Sequence, residues 1–98
     1  MDLNIMKKLK ILHANNTILT NDSIRELTNL QELHCNDCEY ITDINHMTKL
    51  RSLYAGGYCG LNNEGIKNLK LTYLDSKNNY KLTKPKSNKK LKKKSYLN

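Results

Sequence analysis

Leu9, Leu30, Leu50, Leu71 and Leu91 follow one another at intervals of 21, 20, 21 and 20 residues. A fixed period near twenty marks an array of short supersecondary units, each unable to bury its apolar side without a neighbour. Four of these leucines open the same phrase: "LKILHANN" from Leu9, "LQELHCND" from Leu30, "LRSLYAGG" from Leu50 and "LTYLDSKN" from Leu71. In each, a second leucine (Leu12, Leu33, Leu53, Leu74) stands three residues in, and a small residue (Ala14, Cys35, Ala55, Ser76) follows two later. A second phrase, "DLNIMKKLKIL" from Asp2, recurs as "DINHMTKLRSL" from Asp43, two periods on.

Side chains alternate along an extended chain, so Leu33 and Cys35 share one face while Glu32, His34 and Asn36 share the other. Each phrase is therefore a short strand with an apolar inner row. Stacking the copies sets Leu12, Leu33, Leu53 and Leu74 side by side, with strands ~4.8 Å apart. The segments between strands, such as "SIRELTNL" and "DINHMTKL", space apolar residues three apart (Ile24, Leu27, Leu30; Ile44, Met47, Leu50), which predicts a helical or 3₁₀ return.

The run Leu-x-x-Leu-x-small-x-x-Cys-x-x-Ile-Thr-Asp, from Leu30 to Asp43, resembles the leucine-rich repeat, in particular its cysteine-containing variety, and the resemblance extends over about Met1 to Thr83. The wording "ITDINHMTKLRSLYAGGYCGLNNEGIKNL", in an Asn- and Lys-rich chain, is similar to the leucine-rich-repeat proteins of amoeba-infecting giant viruses. The resemblance implies an α/β solenoid of about four 20–21-residue repeats, with parallel strands on its concave face and helical, 3₁₀ or coil returns. The turn position that carries Asn in this family reads Thr17, Cys38, Tyr58 and finally Asn79, a departure from the pattern.

The 98 residues carry a net charge of +8, unevenly placed: seven of the 17 basic residues lie in "KPKSNKKLKKKSYLN", with no acid among them. Residues 1–83 form the array. In 84–98 the period persists, since Thr83, Lys90 and Leu91 align with Thr42, Lys49 and Leu50, but its core positions fail: Pro85, Asn88 and Lys94 stand where Ile44, Met47 and Leu53 stood. A buried lysine costs more than a thin core supplies, so the segment is expected to be a decayed repeat, disordered or a loose cap. Its lysines, Lys89, Lys90, Lys92, Lys93 and Lys94, form a basic tail whose charge density suits nucleic acid or nuclear targeting.

Cys35 and Cys38 invite comparison with metal or redox Cys-x-x-Cys pairs. Register explains them instead, as occupants of the small inward and turn positions, and His34 faces away from Cys35, so the two cannot hold one ion. An odd count of three cysteines and no secretory leader point to reduced thiols in an intracellular protein, cytoplasmic or nuclear, and a host-cell one if viral. Cys59, in the glycine-rich turn "AGGYCGLNNEG", is expected to be exposed and oxidisable.

No P-loop, dinucleotide motif, carboxylate pair or apolar run of membrane length occurs. The chain is read as a non-catalytic protein-binding module without cofactor or metal. Its contact surface is expected on the outward strand columns: His13, His34, Tyr54 and Asp75, flanked by Glu32, Ser52 and Tyr73. Two other readings stand beside it, a nucleic-acid-associated protein acting through the tail and a remnant of a longer array. The family resemblance also implies substrate-binding arms beside an F-box in ubiquitin-ligase adaptors, although these residues contain no F-box segment.

Overall fold

The computed structural model describes residues 2–83 and, beyond them, the backbone of one strand at 92–94. The repeated phrases form strands β1 (Ile11–His13), β2 (Glu32–His34), β3 (Ser52–Tyr54) and β4 (Tyr73–Asp75), joined by β5 (Lys92–Lys94) in one parallel sheet of order β1-β2-β3-β4-β5. Leu12, Leu33, Leu53 and Leu74 pair in register across the first four strands, as the period predicts. Leu33, Leu53 and Leu74 are fully buried, while Leu12, in the edge strand of the described sheet, is half-buried.

Three-residue strands make few ladder bonds, and the backbone extends the pairing on both sides. Upstream, the carbonyl before each strand accepts two successive N–H groups from the next unit: Lys10 from Gln31 and Glu32, Gln31 from Arg51 and Ser52, Arg51 from Thr72 and Tyr73. Downstream, the N–H groups of Ala14, Cys35 and Ala55 donate to His34, Tyr54 and Asp75. Each unit then turns through one left-handed residue, Asn16, Asp37, Gly57 or Asn78, with φ of 58°, 60°, 61° and 64°. Asn, Asp and Gly are the residues that tolerate this region at least cost.

Behind the sheet, Ile24, Leu27, Leu30, Ile44, Met47 and Leu50 are fully buried against the leucine row. The returns are of two kinds that alternate. Asp22–Ile24 and Glu64–Ile66 are 3₁₀ turns, as expected. The segment from Asp43 is not helical: Met47 N–H donates to Ile44 and Leu50 N–H to Met47, two separate tight turns, repeated at Met6 to Leu3 and Leu9 to Met6. The reason lies in the Asp-x-Asn phrase. Asp43 Oδ1 accepts the Asn45 N–H, and Asn45 in turn donates to the Glu64 carbonyl and accepts from the Asn68 N–H. Asp2 and Asn4 make the same set, to Asp22 and Glu26. Side chains that bond nearby backbone in this way offer it an alternative to a helix.

The expected disordered tail lies mostly outside the described residues, and so do Lys89, Lys90 and the side chains of Lys92, Lys93 and Lys94. The backbone at 92–94 departs from that expectation by pairing with β4, and with a slipped register: Leu74 sits opposite Lys93, where the period placed Lys94. Neither position 93 nor position 94 carries the leucine whose burial specifies register in the other units.

Candidate functional site

Because the strands pair without stagger, outward residues of successive units fall into columns one strand spacing apart. His13, His34, Tyr54 and Asp75 form one column, and Ile11, Glu32, Ser52 and Tyr73 the other. Rings at that spacing stack. The His13 and His34 rings lie 4.2 Å apart at 21°, and the His34 and Tyr54 rings 4.1 Å apart at 7°. Tyr73 joins from the second column, tilted 48° against Tyr54 at 5.2 Å. Burial, then Asp75 and Tyr54, push the Tyr73 phenol above its ordinary range.

Glu32 belongs to the same group. Its Oε2 lies 2.6 Å from His34 Nε2, and donor atoms of His13, Glu32 and His34 all lie within 4.8 Å of one another. Asp75 is placed in its column, but its carboxylate accepts the Lys77 N–H and turns toward the strand exit. Ser52 sits between Glu32 and Tyr73. The predicted residues are therefore neighbours on one face, while their chemistry gathers at the His13–His34 end.

Comparison of the chain with known protein families, with curated proteins and with solved structures finds no match.

The strand face continues past the exits of β3 and β4 into an open groove lined by Asn36, Asp37, Gly56, Tyr58, Lys77 and Tyr80. Tyr58 and Tyr80 are 78% and 70% exposed. Sequence reading gave Tyr58 the turn position and left Tyr80 aside, although a tyrosine next to the turn in consecutive units was a signal that could have marked both as surface groups.

The cysteines are interior. Cys35 takes the small inward place, and Cys38 turns its Sγ onto the Ala14 carbonyl at 2.9 Å. Cys59 is 0% exposed, which corrects the expectation of an exposed thiol. Its Sγ lies 3.8 Å from that of Cys35, twenty-four residues back, the same reach that Cys38 makes to Ala14 and Asn79 to Ala55. The turn column is thus Thr17, Cys38, Cys59 and Asn79. Tyr58 does not occupy it, because the third unit carries one extra residue there. The two thiols are in hydrogen-bond contact, and the Cys35 thiol is held well above its ordinary range by that bond and by burial. The Cys59 thiol is lowered by the same bond, against its own burial.

Among the described residues, no helix is long and apolar enough to cross a membrane.

Proposed function

We propose that this chain is a leucine-rich-repeat solenoid of the cysteine-containing kind, and that it works as a non-catalytic protein-binding module through its outward strand face. The observation that carries the reading is the ring stack His13–His34–Tyr54, solvent-facing groups locked in place by a sheet whose register is fixed from beneath. Ordered aromatic side chains lose little entropy on binding and are enriched at the energetic centres of interfaces.

Size constrains the partner. Four strands ~4.8 Å apart and ~10 Å long present roughly 150 Å² of flat area, far below the ~800 Å² per partner of a stable interface. The partner therefore extends over the groove containing Tyr58 and Tyr80, or binds weakly. Affinity capture with the intact chain and with a variant altered at His34, Tyr54 and Asp75 tests this. Partners retained equally by both would refute it.

The seven lysines of 84–98 favour the second reading, nucleic-acid association. Deleting that segment separates the two: protein partners survive the deletion, and nucleic-acid partners, whose affinity falls steeply with salt, are lost.

A further inference from the structure

We propose that His13, Glu32 and His34 form a binding site for a divalent transition-metal ion of the zinc type, a property independent of whether the strand face binds protein. Two imidazoles and a carboxylate converge within 4.8 Å, supplied by two backbones in direct register. That donor set suits zinc, copper, nickel or cobalt and disfavours magnesium and calcium, which prefer oxygen alone. Three protein ligands with the fourth direction toward solvent leave one position open for water or an incoming side chain.

The scaffold supports the ligands. His13 and His34 lie opposite each other in the ladder, and Glu32 lies two residues before His34 on the same face. His34 is packed between His13 and Tyr54, which confines it to the column. Arg51, at the entry of β3, spends its guanidinium on the carbonyls of Thr48 and Leu50, and the Glu32 carboxylate pairs with the His34 ring.

Ligation needs a local adjustment. Metal–nitrogen and metal–oxygen distances near ~2.1 Å bring tetrahedral donors to within roughly 3.5 Å, closer than the widest separation here. Stacked rings also point their lone pairs in parallel. Swinging the His13 imidazole, exposed at the end of the stack with the His34 ring against one face, about its outer torsion, which is broad, would close the gap without moving backbone. The ion would replace the short hydrogen bond between His34 and Glu32.

The test is a calorimetric titration of the full chain, free of any histidine tag, with Zn²⁺ near neutral pH. One ion per chain is expected, with affinity reduced by about tenfold or more in H13Q, H34Q and E32Q. H46Q should bind like the parent, because His46 sits on the return side with its ring on the Ile24 carbonyl. Circular dichroism checks that each variant is folded; if either histidine variant is not, E32Q decides. Saturation with Co²⁺ should give a spectrum without thiolate charge transfer. No saturable binding, equal binding by all the variants, or a thiolate band that places the ion on the buried cysteines would each overturn the proposal.

Discussion

Replacing Leu53 by alanine tests the leucine row more directly than any other change. Leu53 is fully buried and pairs with Leu33 on one side and Leu74 on the other. Losing three carbons forfeits about 2.4 kcal/mol of transfer free energy, and the cavity left in a row that cannot collapse raises the cost to roughly 3–5 kcal/mol. About 80 described residues correspond to a total stability of roughly 4–12 kcal/mol. The substitution therefore removes between a quarter and all of it.

Leu12 supplies the control. It occupies the same place in β1, the edge strand of the described sheet, and is half-buried there. Its truncation should cost about 1–1.5 kcal/mol, half the transfer value and little cavity. Urea unfolding followed by circular dichroism reads the difference: with a slope near ~1 kcal/mol/M for so small a chain, the midpoint falls by about 3 M for L53A and about 1 M for L12A. Equal shifts, or an L53A loss below about 1 kcal/mol, would mean that the leucines do not form one continuous core.

Asn79 is buried, and its Nδ2 donates to the Ala55 and Leu61 carbonyls at 2.8 and 3.2 Å. N79A should cost about 2–4 kcal/mol by denaturant titration, with N79L no better, because both strand those carbonyls. A Cβ at Gly60 would run into the Glu39 carbonyl and lie 2.8 Å from that of Ile41, both backbone atoms that cannot step aside. G60A should accordingly lower Tm by about 8 °C or more in a calorimetric scan. The raised Cys35 and Tyr73 groups favour their protonated forms in the fold, so their contribution is present at neutral pH and is lost as pH rises beyond the ordinary thiol and phenol ranges. The lowered Cys59 acts in the opposite sense. Because the Cys35 and Cys59 shifts oppose each other, the test falls on Tyr73: urea midpoints at about pH 7 and about pH 11 should show a fall that Y73F reduces.

The leucine row, the strands and the outward columns were legible because each depends only on alternation and a fixed period, which backbone geometry converts directly into position. Three features were not. Cys59 was misplaced because counting from Leu53 ignores the extra residue in the third unit, and only its reach back to Cys35 reveals the slip. The return at Asp43 reads like that at Asp22, since apolar spacing of three fits a 3₁₀ turn and a pair of separate turns equally well; the Asp-x-Asn bonds decide between them. The convergence of His13, Glu32 and His34 depends on side-chain torsions, which no spacing rule supplies.

What the sheet adds to the residues is a separation of roles. The inner row fixes register through fully buried leucines, and the outer columns inherit that register whatever their own chemistry. His13 and His34 stack because Leu12 and Leu33 align beneath them, and their mutual attraction is too small to set the alignment: an aromatic pair is worth about 0.5–1.5 kcal/mol, against roughly 3–5 for one buried leucine. Exchanging His34 and Tyr54 should therefore leave the urea midpoint within about 1 M of the parent while breaking the imidazole pair that the metal site requires. Surface chemistry on this scaffold can change one unit at a time because stability is held elsewhere.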